Sequence, residues 1–512
     1  MEYKQGTKRY QLHLFSDSLD DILEEENSVR VIDCYVENLD LRKLGFKIPE
    51  LKTGTPPYRP ELLLKIYMYG YLEKIRSSRK LEKECKRNTE LMWLTEKLAP
   101  DFKTIADFRK NNKEGIKNVF KDFLYFCKQA NLLSLEHVGI DGTKIRAQNS
   151  QNNVFKRQKI DKVQEAIEKK IQEYLAELEE NDNTEDSELG LQEGEEVKKV
   201  VRKLTQLRKY QDKVAKVKEK FDQDEELKTY FATDSDSRFQ SDKGKVRPGY
   251  NAQTGVDDKE KLIIVSEVTN KSNDLGQMTV MADMVQEIKE DLEIETETNV
   301  LMDAGYYNET EILNNKDKKG ICIFVCDKKE AEEKNKKQRG TGNKDKVPAA
   351  GFEARDFIYD SERDICICPA GKELRKTHKN PGKEDSGREV FEFQCKECGT
   401  CADREKCTTN KRGRAIKISA HKETMESFKR EMQTEASKKI LSKRKEIVEH
   451  PFGTLKRNLG YTYFMQRGLE KVKAEFNFMC FTYNFKRVLN ILGVTAFLAE
   501  IERQKKLNLA TK

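Results

Sequence analysis

At 512 residues the chain exceeds the length that one hydrophobic core usually serves, so roughly two to four structural units are expected. Its 36% hydrophobic residues can build cores, its 37% charged residues call for much charged surface, and no apolar run approaches the ~20 residues of a membrane span. The net charge of +7 is the small difference between 97 basic and 90 acidic residues, so a nucleic-acid partner has to be argued from clusters.

The opening M-E-Y-K-Q-G-T-K-R-Y lacks the apolar centre of a signal peptide, so a cytoplasmic protein is expected. Up to about Lys52 short apolar runs alternate with charge, and F-K-I-P-E-L-K-T-G-T-P-P-Y-R-P reads as a linker with Pro60 set at a helix start. Helical spacing runs from Glu61 to about Arg87 through Leu62, Leu63, Ile66, Tyr67 and Leu72. It recurs over 78–96, over 101–113 and through Phe120, Phe123, Leu124 and Cys127. Residues 1–130 thus read as an all-helical unit, either a DNA-binding head or a scaffold with ordinary surface charge. At Glu136 the period changes, and H-V-G-I-D-G-T-K-I-R-A reads as a buried strand that meets an acidic residue followed by glycine. Ile160, Val163, Ile167, Ile171, Tyr174 and Leu178 space out one side of a seam; Val197, Val200, Leu204 and Leu207 resume it after an acidic loop. This predicts an antiparallel helical hairpin inserted over 154–222. Strands are expected over 249–253 and 262–268, a helix from 277 to about 291, and a buried strand over 298–303. A short helix at Ile312 and a strand over 320–325 follow. The class is α/β, with 131–330 as the first part of a core and 331–415 as a basic loop and cysteine-rich insertion. Residues 416–512 form the second part, with a basic helical stretch over 421–445 and closing helices over 468–500.

Three acidic residues stand out. Asp141 and Asp303 each end a hydrophobic strand with glycine close behind, and Glu449 sits in L-S-K-R-K-E-I-V-E-H-P-F-G-T-L-K-R. There Lys445, Glu449, Phe452 and Lys456 share one helical face at i, i+4, i+7 and i+11. Singly, each acid is an ordinary strand-end cap or solvated group. Together, carboxylates brought into one cleft are what hard cations such as Mg2+ (or Mn2+) need, and two such ions about 4 Å apart serve phosphodiester transfer. Pro451 lacks the amide proton of the helical ladder, so a kink or break just after Glu449 is expected.

The segments D-G-T-K-I-R-A-Q-N-S, P-G-Y-N-A-Q-T-G-V-D, V-T-N-K-S-N-D-L-G-Q, D-A-G-Y-Y-N and V-E-H-P-F-G-T-L-K-R with Y-F-M-Q-R-G resemble the bacterial insertion-sequence DDE transposases. The resemblance runs from Arg59-Pro60-Glu61 to Tyr483-Asn484-Phe485-Lys486-Arg487, nearly the whole chain. It implies an RNase H-like mixed sheet with helices, preceded by a helical domain and interrupted by an insertion before the catalytic glutamate. It implies Asp141, Asp303 and Glu449 as a catalytic, Mg2+-holding triad, with Arg444 and Lys456 as the motif's basic residues and Lys445 and Arg457 beside them on DNA phosphates. The tyrosine often found eight residues before the glutamate is Leu441 here, a departure on which the triad does not depend. The resemblance further implies a homodimer on double-stranded DNA that cleaves at terminal inverted repeats and transfers the freed 3′-hydroxyl to target DNA. Asp234 and Asp236 match an acidic stretch of the family and stand open between a DNA or metal role and a simple turn. Asn251, Gln253, Asn270, Asn273 and Asp274 read as site walls and turn formers. Two rivals use the same residues: a metal-dependent nuclease without strand transfer, and a catalytically inactive, zinc-stabilised DNA-binding protein.

Six of the 12 cysteines crowd between Cys366 and Cys407, in C-I-C-P-A-G and C-K-E-C-G-T-C-A-D-R-E-K-C. That split fits one metal site in a reducing compartment better than a disulfide framework. Four thiolates can close the tetrahedral Zn2+ site of a zinc ribbon. Cys368, Cys398, Cys401 and Cys407 are the favoured ligands, Cys366 and Cys395 the alternates, and a metal-free cluster of reduced thiols the plainer reading. Finally, Lys328–Lys346, Lys411–Lys417 and Lys438–Arg457 are locally basic. Each alone is an ordinary solvated face; three around a phosphodiester site favour DNA.

Overall fold

The computed structural model describes residues 18–48, 56–184, 193–242, 244–327, 352, 356–384, 388–408, 410 and 413–510. The basic run 328–346 and the side chains of Leu178 and Val197 lie outside the described residues. No helix among the described residues is long and apolar enough to cross a membrane.

Among the described residues six helices come first: Ser28–Glu37, Pro60–Leu72, Ser78–Cys85, Thr89–Leu94, Phe102–Asn111 and Lys113–Gln129. The helical spacing expected to reach Arg87 is cut after Leu72, where Lys74 takes φ 62 and the Ile75 amide closes back on the Gly70 carbonyl at 2.6 Å. Gly70 is needed there, since a Cβ would meet the Leu81 side chain at 2.6 Å and the Ile75 oxygen at 2.7 Å. The Pro60–Leu72 helix is buried at every residue except Glu61, and its one buried charge, Lys65, is paired with Asp33 and Glu37 at 2.6 Å.

The main sheet holds six strands: β1 (His137–Arg146), β4 (Arg238–Asp242), β5 (Lys245–Asp257), β6 (Ile263–Thr269), β7 (Thr298–Met302) and β8 (Ile321–Val325). Its order is β4-β5-β1-β7-β8, with β6 following β4 along the same edge of the long β5. β6, β5 and β1 run antiparallel, whereas β1, β7 and β8 run parallel. Between β1 and β4, the short pair β2 (Val154–Lys156) and β3 (Thr229–Phe231) forms the base of the expected hairpin, whose helices are Ile160–Thr184 and Glu193–Gln223. Ile160, Ile167, Ile171 and Leu204 bury one seam in a small separate core with Val214, Val217 and Phe221.

The cysteine-rich segment folds into a second six-stranded sheet: β9 (Ile358–Asp360), β10 (Ile365–Ile367), β11 (Glu373–Lys376), β12 (Gly382–Lys383), β13 (Glu389–Gln394) and β14 (Ala415–Ser419), all antiparallel. The basic helical stretch over 421–445 is two helices, Lys422–Met432 and Glu435–Gly453, the second capped by Thr434. Contrary to expectation, the motif helix Glu435–Gly453 does not break after Glu449. It runs through Pro451 and is followed by a π-helical turn, Thr454–Asn458. The closing segment Leu469–Ala510 is two helices divided at Gly493 (φ 74, ψ 169).

Head, main sheet and closing helices share one continuous hydrophobic core. Tyr71 of the head meets Phe478 edge-on at 4.9 Å, and Phe123 meets Phe481 at 5.4 Å. The acidic pair left open by the sequence takes a structural place. Asp234 Oδ1 accepts from the Gly468 amide at 3.1 Å and the Tyr250 hydroxyl at 2.7 Å, and Asp236 Oδ2 accepts from the Leu469 amide at 2.8 Å. They cap the closing helix from a distant loop, where two of its first amides lack an intrahelical partner.

Candidate active site

β1 and β7 pair in parallel through Val138 with Val300 and Gly139 with Leu301, a register that carries Asp141 beside Asp303 two residues on. Each carboxylate is fixed by a backbone amide, Gly142 to Asp141 Oδ1 and Gly305 to Asp303 Oδ1, both at 2.8 Å. Burial pushes Asp141 up to about 6; Arg444 opposes the shift and the charges of Asp303 and Asp274 add to it. Asp303 follows the last residue of β7, as expected, whereas Asp141 does not end its strand: it lies in the middle of β1, which goes on pairing with β5 to Arg146.

The motif helix lies against β1 at Gly139, where a Cβ would sit 2.7 Å from Val448 Cγ1 and 3.0 Å from Ile447 Cγ2. With Ile447 and Val448 turned inward, Arg444 one turn earlier reaches Asp141 Oδ2 at 3.7 Å. Glu449 is then carried to the outward flank: its side chain is 66% exposed and its ion pair is with Lys445, at 3.9 Å. The structure therefore joins Asp141, Asp303 and Arg444 and leaves Glu449 and Lys445 outside that group. Arg457 is exposed, and Lys456 lies 3.9 Å from Asp242 on the wall of a groove.

That groove was not read from the sequence. Besides Lys456 it is lined by Lys144 and Arg146 from β1 and by Lys245 and Arg247 from β5. Its signal was the D-G-T-K-I-R run, in which Lys144 and Arg146 project from one side of the strand that carries Asp141. Asp274, read from the sequence as a site wall or turn former, lies close enough for its charge to act on Asp141, Lys144 and Tyr306.

Among the described residues, the one set of three donor atoms within 4.8 Å of one another is Glu136, His137 and Asp258. The Lys443 ammonium sits 2.7 Å from His137 Nε2, so that nitrogen already has a cationic partner. The set also stands four residues down β1 from Asp141, roughly 13 Å away, and is no part of the aspartate pair. In the second sheet Cys368, Cys395, Cys398, Cys401 and Cys407 line one cavity. The Lys372 amide donates to Cys368 Sγ at 3.2 Å, and Gly413 (φ 90) comes so close to Cys398 that a Cβ would meet its Sγ at 3.0 Å. Burial pushes the Cys395 and Cys407 thiols up. Cys366 is fully buried in the apolar core of this sheet.

Two family models match the chain. One, described as a transposase domain (DUF772), covers residues 17–111, the helical head; the other, described as a transposase DDE domain, covers residues 367–489. Over these two stretches the chain is similar to transposases, at its helical head and at the segment that carries Glu449. The second match spans most of the cysteine-rich sheet, the motif helix with Glu449, and the start of the closing helices. Asp141 and Asp303 lie outside both matched stretches. No curated protein and no solved structure gives a significant match.

Proposed function

We propose that the protein cleaves DNA at the ends of its own element and joins the freed 3′ ends to target DNA, with Asp141, Asp303 and Glu449 holding Mg2+ (or Mn2+). The observation that carries this reading is the register that sets Asp141 beside Asp303 on two parallel strands, next to a basic groove. The order β6-β5-β1-β7-β8, antiparallel over its first three strands and parallel over its last three, supports an RNase H-like core. The chemistry of the two residues suits a hard cation, since Asp141 and Asp303 offer carboxylate oxygens from neighbouring strands. When bound, Mg2+ supplies Lewis acidity to the attacking and leaving oxygens of a phosphodiester.

The chain's own residues do the placing. Gly142 and Gly305 fix the two carboxylates through their amides. Lys144, Arg146, Lys245, Arg247 and Lys456 hold backbone phosphates along the groove, with Lys445 and Arg457 extending the basic surface outward. Arg444 steadies Asp141 before DNA arrives. Glu449 enters only if the motif helix turns about its axis as DNA docks. Synapsis of two ends calls for a homodimer on DNA, and the substrate places the protein in the cytoplasm. Mixing the full chain with Mg2+, supercoiled target and labelled DNA carrying the flanking repeats is expected to give joined products. Nicks without joining would favour the nuclease reading, and tight binding without chemistry would favour an inactive DNA-binding protein.

The cysteine-rich sheet holds a structural Zn2+ in this reading, through four of the five cavity-lining thiols, Cys368, Cys398, Cys401 and Cys407 first. Among the described residues this sheet's core is small, four buried hydrophobics clustered with Cys366 and Cys395, too little to stabilise it unaided. Metal analysis is expected to find about one zinc per chain, lost in Cys398→Ser and kept in Cys366→Ser. Metal-free wild type would return the segment to a cluster of reduced thiols.

A further inference from the structure

The longer helix of the inserted hairpin, Glu193–Gln223, carries more charge than its packing explains. From Lys198 to Lys220 it holds ten basic residues against two acidic ones, Asp212 and Glu219, an excess of eight where the excess of the whole chain is +7. The charge is also ordered. Lys198, Arg202, Lys209, Lys216 and Lys220 follow one another in steps of 4, 7, 7 and 4, which keeps them within about 40° around the helix axis. All five are exposed, on the side turned away from Leu204 and Val214 in the hairpin's core. The stripe is about 33 Å long at ~1.5 Å per residue, close to one turn of duplex DNA.

Among the described residues none of these five is ion-paired. The helix's ion pair is Lys218 with Asp161, at 2.8 Å and off the stripe, and Lys220 reaches only the Gln223 amide oxygen, at 3.3 Å. Lys198 with Arg202 and Lys216 with Lys220 are like charges at i,i+4, an arrangement that costs helix stability. The companion helix shows an ordinary solvated face, with exposed Asp161, Glu165, Glu168 and Glu173 mixed among exposed Lys162, Lys169 and Lys170. A second observation places the stripe: the hairpin is rooted at the basic groove. Gln151 Nε2 donates at 3.0 Å to the carbonyl of Val246, which lies between the groove residues Lys245 and Arg247. Asn153 fixes that root, accepting from Lys213 Nζ of the basic helix at 2.6 Å and donating to Thr233 Oγ1 at 3.0 Å.

We propose that this stripe is a second DNA surface, an arm that holds the phosphates of duplex DNA where it continues beyond the groove; this rests on reading the protein as one that works on DNA. The partner follows from the chemistry. A row of unpaired cations on one helix suits a polyanion whose charges recur at regular intervals, and each phosphate it neutralises releases counterions. Lysine and arginine on phosphates read no bases, so the arm adds affinity and register without sequence preference. The rival occupant is a second copy of the chain, whose stretch 182–196 carries seven acidic residues and no basic one. The root at the groove and the length of the stripe favour DNA.

Fluorescence anisotropy of a labelled duplex of about four helical turns, titrated with the full chain over a salt series, tests this. The stripe variant joins Arg202→Gln, Lys209→Gln and Lys216→Gln. It is compared with wild type, with Lys162→Gln, Lys169→Gln and Lys170→Gln combined on the companion helix, and with Lys245→Gln and Arg247→Gln combined in the groove. The stripe variant is expected to bind at least about ten-fold more weakly at near-physiological salt. Its log–log salt slope should fall by about 2–3, at ~0.9 per lost phosphate contact. The companion-helix variant sheds the same charge and is expected to stay within about three-fold of wild type. Equal losses in these two variants would reduce the effect to net charge and overturn the arm. Wild-type affinity and slope in the stripe variant, with loss in the groove variant, would overturn the arm and leave the DNA reading standing. No salt-dependent binding by wild type would overturn both. A changed oligomer size of the DNA-free stripe variant, with unchanged DNA affinity, would overturn the arm in favour of a second copy. Glutamine is close to lysine and arginine as a helix former, so melting should not change; if it does, alanine at the same three positions replaces it under the same criteria.

Discussion

Asp141→Asn is expected to slow cleavage at the element's ends by about a thousand-fold, some 4 kcal/mol of transition-state stabilisation, while DNA affinity at fixed salt stays near wild type. The substitution is nearly isosteric and keeps an oxygen for the Gly142 amide. What it removes is the negative charge that burial already disfavours and that Asp303 and Asp274 repel, so the metal-free fold has little reason to weaken. Phosphate contacts come from the groove lysines and arginines, which the change leaves in place, so gel-shift affinity and its salt slope should both persist. Glu449→Gln is the companion variant. Its carboxylate is outside the aspartate pair in the free protein, so a comparable loss of cleavage would mean that DNA turns the motif helix inward. A rate within about three-fold of wild type would instead remove Glu449 from the chemistry. Cleavage by Asp141→Asn within about ten-fold of wild type would remove the proposed centre altogether.

What the sequence made legible follows from which forces act locally. β1, β7 and β8 could be read because buried parallel strands are short apolar runs, and the hairpin because its seam residues keep heptad-like steps. The second sheet could not, because strands of two to six residues with alternating charge carry no periodic signal above the cysteines. The placement of Glu449 exposes a different limit. Spacing correctly sets Lys445 and Glu449 one helical turn apart, but which face meets the sheet is decided by the missing Cβ of Gly139 beneath Ile447 and Val448. That is a tertiary fact about a strand some 300 residues away. The contact of Asp274 with Asn251 and Gln253 was not legible for a similar reason: those two alternate along β5, but nothing in N-A-Q says that a turn beyond β6 will fold back onto them.

Arg76→Met is expected to destabilise the folded chain by about 3–5 kcal/mol, the range for stripping one partner from a buried ion pair. Arg76 belongs to the head; its Nη1 donates to the Tyr463 carbonyl at 2.8 Å and lies 3.8 Å from Glu475 Oε1 on the closing helix. The guanidinium also packs over the rings of Tyr461 and Tyr463, at 5.2 and 4.7 Å. Glu475 is 1% exposed and accepts from the Met465 and Gln466 amides, so it is what shapes the Y-F-M-Q-R-G turn from inside. Without Arg76 a carboxylate would remain buried with only neutral donors. Arg76→Met combined with Glu475→Gln should therefore be more stable than the sum of the two single losses predicts, by more than about 1 kcal/mol in urea unfolding. A single-variant loss below about 1 kcal/mol would show that the pair matters little. The joint has a reach beyond stability. The same turn pairs with the end of β1, through the Arg146 amide to Thr462 and the Phe464 amide to Arg146, so the pair that seats the head also sets the strand on which Lys144 and Arg146 face the groove. Loosening it should weaken DNA binding even with every groove side chain intact, because those charges would no longer be held in one register for successive phosphates.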